Sequence, residues 1–189
     1  NWERFVFSLS LKLMRLGVPE IETGVQHALA AIGAFSKTDL VRLILVAAES
    51  GALSTAFEWR GPDVSAGCQT IQNIPAKQFP WIFERLLRFE TIFISRRHLS
   101  PPELAREKTG LDTPVSRLLV PLQADASLIG FLNLESLHEE VTFIETELTG
   151  FKYLSDILSA TLERKKFGEF VLENQERLNS IFNSLRDAV

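Results

Sequence analysis

The side chains best suited to covalent or metal chemistry are one thiol and three imidazoles, and their spacing argues against using them that way. Cys68 is the sole cysteine, so neither an intrachain disulfide nor an attacking and resolving thiol pair can form within one chain. Its isolation favours a reducing compartment. His27, His98 and His138 stand far apart, with no partner at helix or strand spacing and no Cys-x-x-Cys. No metal or haem site is therefore expected. His138-Glu139 follows a strand rather than opening a dimerisation helix, so phosphotransfer is not expected either. What remains is non-covalent: Phe57, Trp59, Trp81, Phe93 and Phe131, with Arg42 and Arg117 set in apolar strands. Aromatics at strand positions most often fill a core, and their other use is to wall a ligand cavity. Period-two alternation would turn each arginine to solvent, the alternative being that one of them holds an anionic ligand.

Bulk properties narrow the partners. The chain has 189 residues, 46% hydrophobic, with 14 Phe, enough for one sizeable core with helical attachments. Its 24 acids against 20 bases give a net charge of −4. Beyond Arg96-Arg97-His98 and Arg164-Lys165-Lys166 no basic block exists, which disfavours nucleic-acid binding. The most apolar run, Leu40 to Ala48, is shorter than a bilayer span and contains Arg42. The expectation is a cytoplasmic protein with no direct membrane contact.

The elements that must position these residues follow from hydrophobic period and turn chemistry. Residues 2 to 16 read as an amphipathic helix in which Trp2, Val6, Leu9, Leu13 and Leu16 recur with coiled-coil spacing. Phe5, Leu11 and Met14 widen the apolar face, so a simply buried helix is the alternative. Gly17 and Pro19 end it, and a second helix runs from Pro19 to about Ala34. Strands are expected at Leu40–Ala47, Leu53–Trp59, Thr91–Ile94, Val115–Leu122 and Leu128–Leu134, with an extended piece at Thr70–Ile74. Phe79–Leu87 reads as a helix, and residues 101 to 108 as a short one capped by Gly110. From Thr142 the helical period lasts almost to the end. Leu148, Phe151, Leu158 and Leu162 share one face, while Val171, Gln175, Leu178, Phe182, Leu185 and Val189 form a seam in another phase. Gly168 near the mismatch suggests a stutter or hinge. This order predicts an α+β fold with an antiparallel sheet and helices packed on it.

Residues 19 to 165 resemble a GAF domain. The resemblance rests on Ile21-x-x-x-Val25-x-x-Ala28-Leu29-x-x-Ile32-Gly33, the strand from Leu40 to Leu45 and the aromatic strand ending Phe57-Glu58-Trp59. It continues with Ser116-Arg117-Leu118-Leu119-Val120-Pro121-Leu122, a short loop, Ile129-Gly130-Phe131-Leu132-Asn133-Leu134, and Phe143-x-x-x-Glu147-Leu148. Pro121 suits a strand end or edge, and Gly130 allows another backbone close to the sheet. The last residues, Leu178-x-x-Ile181-Phe182-x-Ser184-Leu185-x-Asp187-Ala188-Val189, resemble the entry helix of a PAS domain.

Several functions are implied or excluded by that resemblance. Cyclic-nucleotide GAF domains carry an N-K … F-x-x-x-D-E signature. Here Asn133, Phe143 and Glu147 match, but Leu134 and Leu148 replace two charged members. Bilin attachment needs a thiol late in the domain, and Cys68 lies early. Methionine-sulfoxide reduction on this fold uses several cysteines. The family's cavity would be lined by Phe57, Trp59, Trp81, Phe93, Arg117 and Phe131. The resemblance thus implies a sensory module of a signalling protein, not an enzyme and without a cofactor, within a parent such as a sensor kinase or a cyclic-dinucleotide enzyme. Residues 1 to 18 would be an amino-terminal helix, 19 to 165 the domain, and 166 to 189 a linker helix. Homodimerisation is expected through Val6, Leu9, Leu13, Leu162, Val171, Leu178, Phe182 and Leu185, with conformational change relayed to an adjacent PAS or output domain. An enzymatic domain on the same fold and the ligand-binding domain of a transcription factor are the alternatives.

Overall fold

A computed structural model describes residues 1–64, 70–95 and 114–187, with backbone alone for 182 and 184–187. Cys68, His98, the helix expected at 101–108 and its Gly110 cap lie outside the described residues, as do the side chains of Phe182 and Leu185.

Helix α1 (Trp2–Arg15) is capped by the Asn1 side chain, which accepts from the Glu3 amide. A 3₁₀ turn at Val18–Glu20 leads into α2 (Ile21–Ser36). Strands β1 (Leu40–Val46) and β2 (Ala52–Arg60) form a hairpin. A two-residue β3 (Ile74–Pro75), α3 (Pro80–Leu87) and β4 (Ile92–Ser95) follow. A second hairpin, β5 (Ser116–Ala124) and β6 (Ser127–Ser136), precedes α4 (Glu145–Asp187). The sheet is antiparallel throughout, in the order β3-β2-β1-β6-β5-β4. The expected α+β architecture is therefore present, with an amino-terminal and a long carboxy-terminal helix flanking the sheet. The β5–β6 turn is tighter than the five residues expected: Asp125 and Ala126 both have positive φ, 46° and 61°, the pattern of a two-residue turn matched to strand twist.

The centre of the sheet is the β1–β6 pairing, and Gly130 makes it possible. It sits opposite Leu45, and a Cβ there would lie 2.2 Å from the Ile44 carbonyl oxygen. Only a residue without a Cβ fits.

One face of the sheet carries α1, α2 and α4. Phe151, Leu154 and Leu158 of α4 and Val25, Leu29 and Ile32 of α2 are fully buried there with Val41, Leu43, Leu118, Val120, Leu132 and Leu134. Removing that much apolar surface from water is the main source of stability.

The apolar stripe of α1 is used inside the chain, which corrects the expectation that it lies free for a partner. Leu9 and Leu13 belong to the core, Val6 packs against it half-buried, and the Trp2 ring centroid is 4.7 Å from that of Phe151. Arg164 of α4 donates to the Leu13 and Met14 carbonyls, at 2.9 Å each, satisfying orphan oxygens at the end of α1. The buried-helix alternative holds because α4 offers α1 a complementary apolar face.

Helix α4 is α-helical without interruption through Gly168, so the phase change there involves no break in the helix. That glycine serves close approach instead: a Cβ would lie 2.7 Å from Val18 Cγ2. Nearby, Lys165 lies 2.8 Å from Glu22, and their hydrogen bond lowers the Glu22 carboxyl and raises the Lys165 ammonium from their ordinary values. Past this point α4 leaves the domain. Phe167, Phe170, Val171, Leu172, Leu178 and Ile181 are all exposed, Phe167 at 70%.

Candidate ligand site

The second face of the sheet carries a row of charged side chains brought together by register. Arg42 on β1 stands opposite Glu58 on β2 and Asn133 on β6, and Arg117 on β5 stands opposite Glu135 on β6. Directly opposed residues point the same way, so all five groups share one face.

Glu135, 2% exposed, is the hub. One of its oxygens lies 3.1 Å from Arg42 Nη1; the other lies 2.6 Å from Arg117 Nη2 and accepts from Asn133 Nδ2 at 3.0 Å. Glu58 receives Arg42 Nε at 2.7 Å and Arg60 Nε at 2.5 Å. Two carboxylates are thus shared among three guanidinium groups. Arg42 and Arg117 are 1% and 8% exposed. The expectation that both point to solvent is corrected: alternation does put them on one face, but that face is covered rather than wet. Such buried charges persist only when paired.

Some polar capacity is left over. Arg117 Nε has no hydrogen-bond partner among the described residues, its Nη2 meets Glu135 off the hydrogen-bonding direction, and Asn133 Oδ1 is likewise unpartnered. Both residues line a cavity of about 30 Å³ beneath α3, whose other walls include Ile44, Leu86, Phe83 and Phe131. The arrangement is a small apolar chamber, about the size of a single water, with a cationic donor and an amide acceptor at one end.

Of the six residues expected to line a ligand cavity, Arg117 and Phe131 do so. Phe57 and Trp59 do not, because they pair with Leu43 and Val41 and so face the helical layer. The Trp59 ring lies against Gly33 of α2. Phe93 opposes Leu118 on that same face and meets Phe143 edge-on at 6.0 Å. Trp81 is occupied at the side of α3, where the Arg85 guanidinium sits 4.5 Å from its ring centroid. Asn133, noted in the sequence only as a match to the nucleotide signature, also lines the cavity. A polar residue at an odd position of an otherwise apolar strand was its sequence signal. Glu147, the other residue of the nucleotide signature, closes the start of α4 by accepting from the Ile144 amide at 3.0 Å.

Neither His138 nor Asp39 supports a metal centre, although they lie 3.3 Å apart. Among the described residues no group of three His, Cys, Asp or Glu is placed to hold an ion, and no helix is long and apolar enough to cross a membrane.

No protein-family model matches the sequence, and no curated protein matches it. Solved structures do resemble it. A bacteriophytochrome from the photosynthetic bacterium R. palustris has a TM-score of 0.68 at 13% identity, over 95% of this chain and 41% of that one. The phycoerythrobilin-bound GAF domain of a cyanobacterial phytochrome gives 0.69 at 15%, over 89% and 98%. Free methionine-R-sulfoxide reductase from Neisseria meningitidis, in complex with its substrate, gives 0.66 at 19%, over 88% and 91%. The chain spans less than half of the phytochrome and nearly all of the isolated GAF domain. What these proteins share with it, at such low identity, is the fold, and on that ground this chain has the fold of a GAF domain.

Proposed function

We propose that this chain is a sensory and regulatory GAF module of a cytoplasmic signalling protein, dimerising through its helices and relaying conformational change along α4. The observation that carries this reading is α4 itself. Its first half is anchored in the core by Phe151, Leu154 and Leu158, while its second half runs on as an unbroken helix with Val171, Leu178 and Ile181 exposed. A rigid element fixed in the sensing layer transmits a shift at the sheet to its far end. The exposed stripe needs a cover, and a second copy supplies the same stripe in parallel register. Gln175, also exposed within it, favours register over stability.

The amino-terminal contribution to that dimer is the outer side of α1, where Val6 and Phe7 flank a groove completed by Tyr153 and Ile157 of α4. Leu162 is half-buried at the edge of the core, between the two regions. The cavity beneath α3 is the input site, and an adjacent PAS or output domain, in a sensor kinase or cyclic-dinucleotide enzyme, is the recipient. An enzymatic domain on this fold is disfavoured by the single cysteine and by the wholly non-covalent make-up of the cavity. A transcription-factor regulatory domain is disfavoured by the PAS-like end.

The test is oligomeric state. Light scattering should give a dimer at tens of micromolar, roughly where a modest apolar interface holds. Leu178→Asp with Leu185→Asp should leave the circular dichroism melt unchanged and lower the mass to a monomer. A monomeric parent, or a double variant that stays dimeric, defeats the proposal. No pigment is part of it: purified protein should lack a visible absorbance band, and a stoichiometric one would contradict the reading.

A further inference from the structure

We propose that the pocket between α1, the end of α2 and the start of α4 binds a small quaternary ammonium ion, held by aromatic rings and carboxylates. This pocket lies in the helical layer, on the other side of the sheet from the chamber beneath α3. Its space is about 370 Å³, within the range of about 300–1,000 Å³ usual for small-molecule sites.

The apolar part of the lining is aromatic. Trp2 of α1, Phe35 of α2, Phe151 of α4 and Phe143 just before α4 all border the space. The Trp2 ring centroid is 5.3 Å from that of Phe35 and 4.7 Å from that of Phe151, and Phe143 meets Phe151 edge-on at 5.4 Å. Trp2 is fixed in place, since its Nε1 donates to the Thr146 carbonyl at 3.0 Å. Phe35 is 38% exposed even though Phe5 stacks against it. A ring used only for packing would be covered, whereas this one borders open space. Ring faces carry partial negative charge and attract cations, most strongly on Trp and where water is partly excluded.

The charged part of the lining has the matching sign. Glu139, Glu140 and Glu147 face one cation, Lys37, so three carboxylates and one ammonium leave two negative charges. Hydrogen bonds from the Ile144 amide and the Ser95 hydroxyl hold Glu147 and Glu140 in place. The acids do not converge on one point: among the described residues no group of three His, Cys, Asp or Glu could hold a metal ion. A hard ion, which demands several oxygens at short range, is therefore not the guest. An anion is repelled, and a neutral molecule gains nothing from the carboxylates. A quaternary ammonium meets both halves of the lining. Its methyl groups pack on the rings, and its charge acts on the carboxylates without direct ligation. Choline carries that combination.

Isothermal titration calorimetry of the whole chain with choline chloride, at constant ionic strength, should show saturable binding. The alcohol 3,3-dimethylbutan-1-ol has the same shape without the charge, and should bind about tenfold more weakly. Ammonium chloride, which has the charge without the methyl groups, should give no saturable heat. Phe35→Leu keeps an apolar side chain but removes the ring, and should weaken choline about threefold. Adding Glu139→Gln should bring the loss to about tenfold. Both side chains are exposed, so the circular dichroism spectrum of the double variant should match the parent. The three-compound series needs no variant and stands even if the double variant fails to fold. Choline that binds no better than the alcohol or ammonium overturns the proposal, as does undiminished binding to the folded double variant. So does the lack of any saturable heat with choline.

Discussion

Replacing Glu135 with glutamine is expected to destabilise the domain by about 3–5 kcal/mol, the usual cost of removing one member of a buried charge cluster. At this chain length that corresponds to a midpoint lower by roughly 10 °C. The reason lies in what stays behind. Arg42 is 99% buried and Arg117 92%, and Glu135 is the carboxylate they share. Glutamine keeps the size but removes the charge, leaving Arg117 without its ion-pair partner and Arg42 with Glu58. It also offers the Asn133 amide a neutral acceptor in place of a carboxylate. The exposed pair Arg88 and Glu84, at 63% and 65% exposure, is the internal control. Glu84→Gln should shift stability by less than about 1 kcal/mol, because solvent screens such pairs. Urea unfolding of the two variants decides the matter. If Glu135→Gln loses no more than Glu84→Gln, the buried cluster is not holding β1, β5 and β6 in register.

A loss of about 3 kcal/mol or more should follow Gly130→Ala, at the upper end for overpacking, because what a new methyl group meets there is backbone. The Ile44 oxygen would stand 2.2 Å from the added carbon, with Leu45 Cα at 3.1 Å. A side chain could turn away, but this oxygen belongs to the pairing between β1 and β6 at the middle of the sheet. The strands would have to part locally, weakening the ladder that joins the two hairpins. Gly51 separates this steric effect from backbone conformation. It has φ 64° and nothing within 4 Å of an added Cβ, so Gly51→Ala should cost only about 1 kcal/mol, through the left-handed backbone alone. Comparable losses for the two alanines in chemical unfolding would show that the close approach at Gly130 is not the constraint.

Much of the fold could be read directly, because its signals are local. Period-two runs between Lys37-Thr38-Asp39, Glu49-Ser50-Gly51 and the Gln123–Ser127 loop marked both hairpins, and five of the strands appear within two residues of their expected bounds. Helices α1 to α4 follow the apolar spacing in the same way. The need for Gly130 was legible too, since a glycine inside a strand announces close backbone approach.

What tertiary structure alone decided is which face each alternating residue met. Alternation divides Arg42 from Val41 and Phe131 from Leu132 but does not say which set is wet. Here neither is, as helices cover one side and α3 with its cavity the other. Arg42 and Arg117 were therefore misassigned to solvent, while Phe57 and Trp59 were assigned to a cavity on the opposite side. The shift in register between Leu43 and Ile44 adds a second uncertainty, since one extra residue on β2 exchanges the faces of everything beyond it. The stripe on α1 presents the same ambiguity. Leu9 and Leu13 have the spacing of an intermolecular seam, yet α4 of the same chain covers them. A helix period records that an apolar face must be buried; the partner that buries it is set by distant parts of the chain, and no local pattern carries that information.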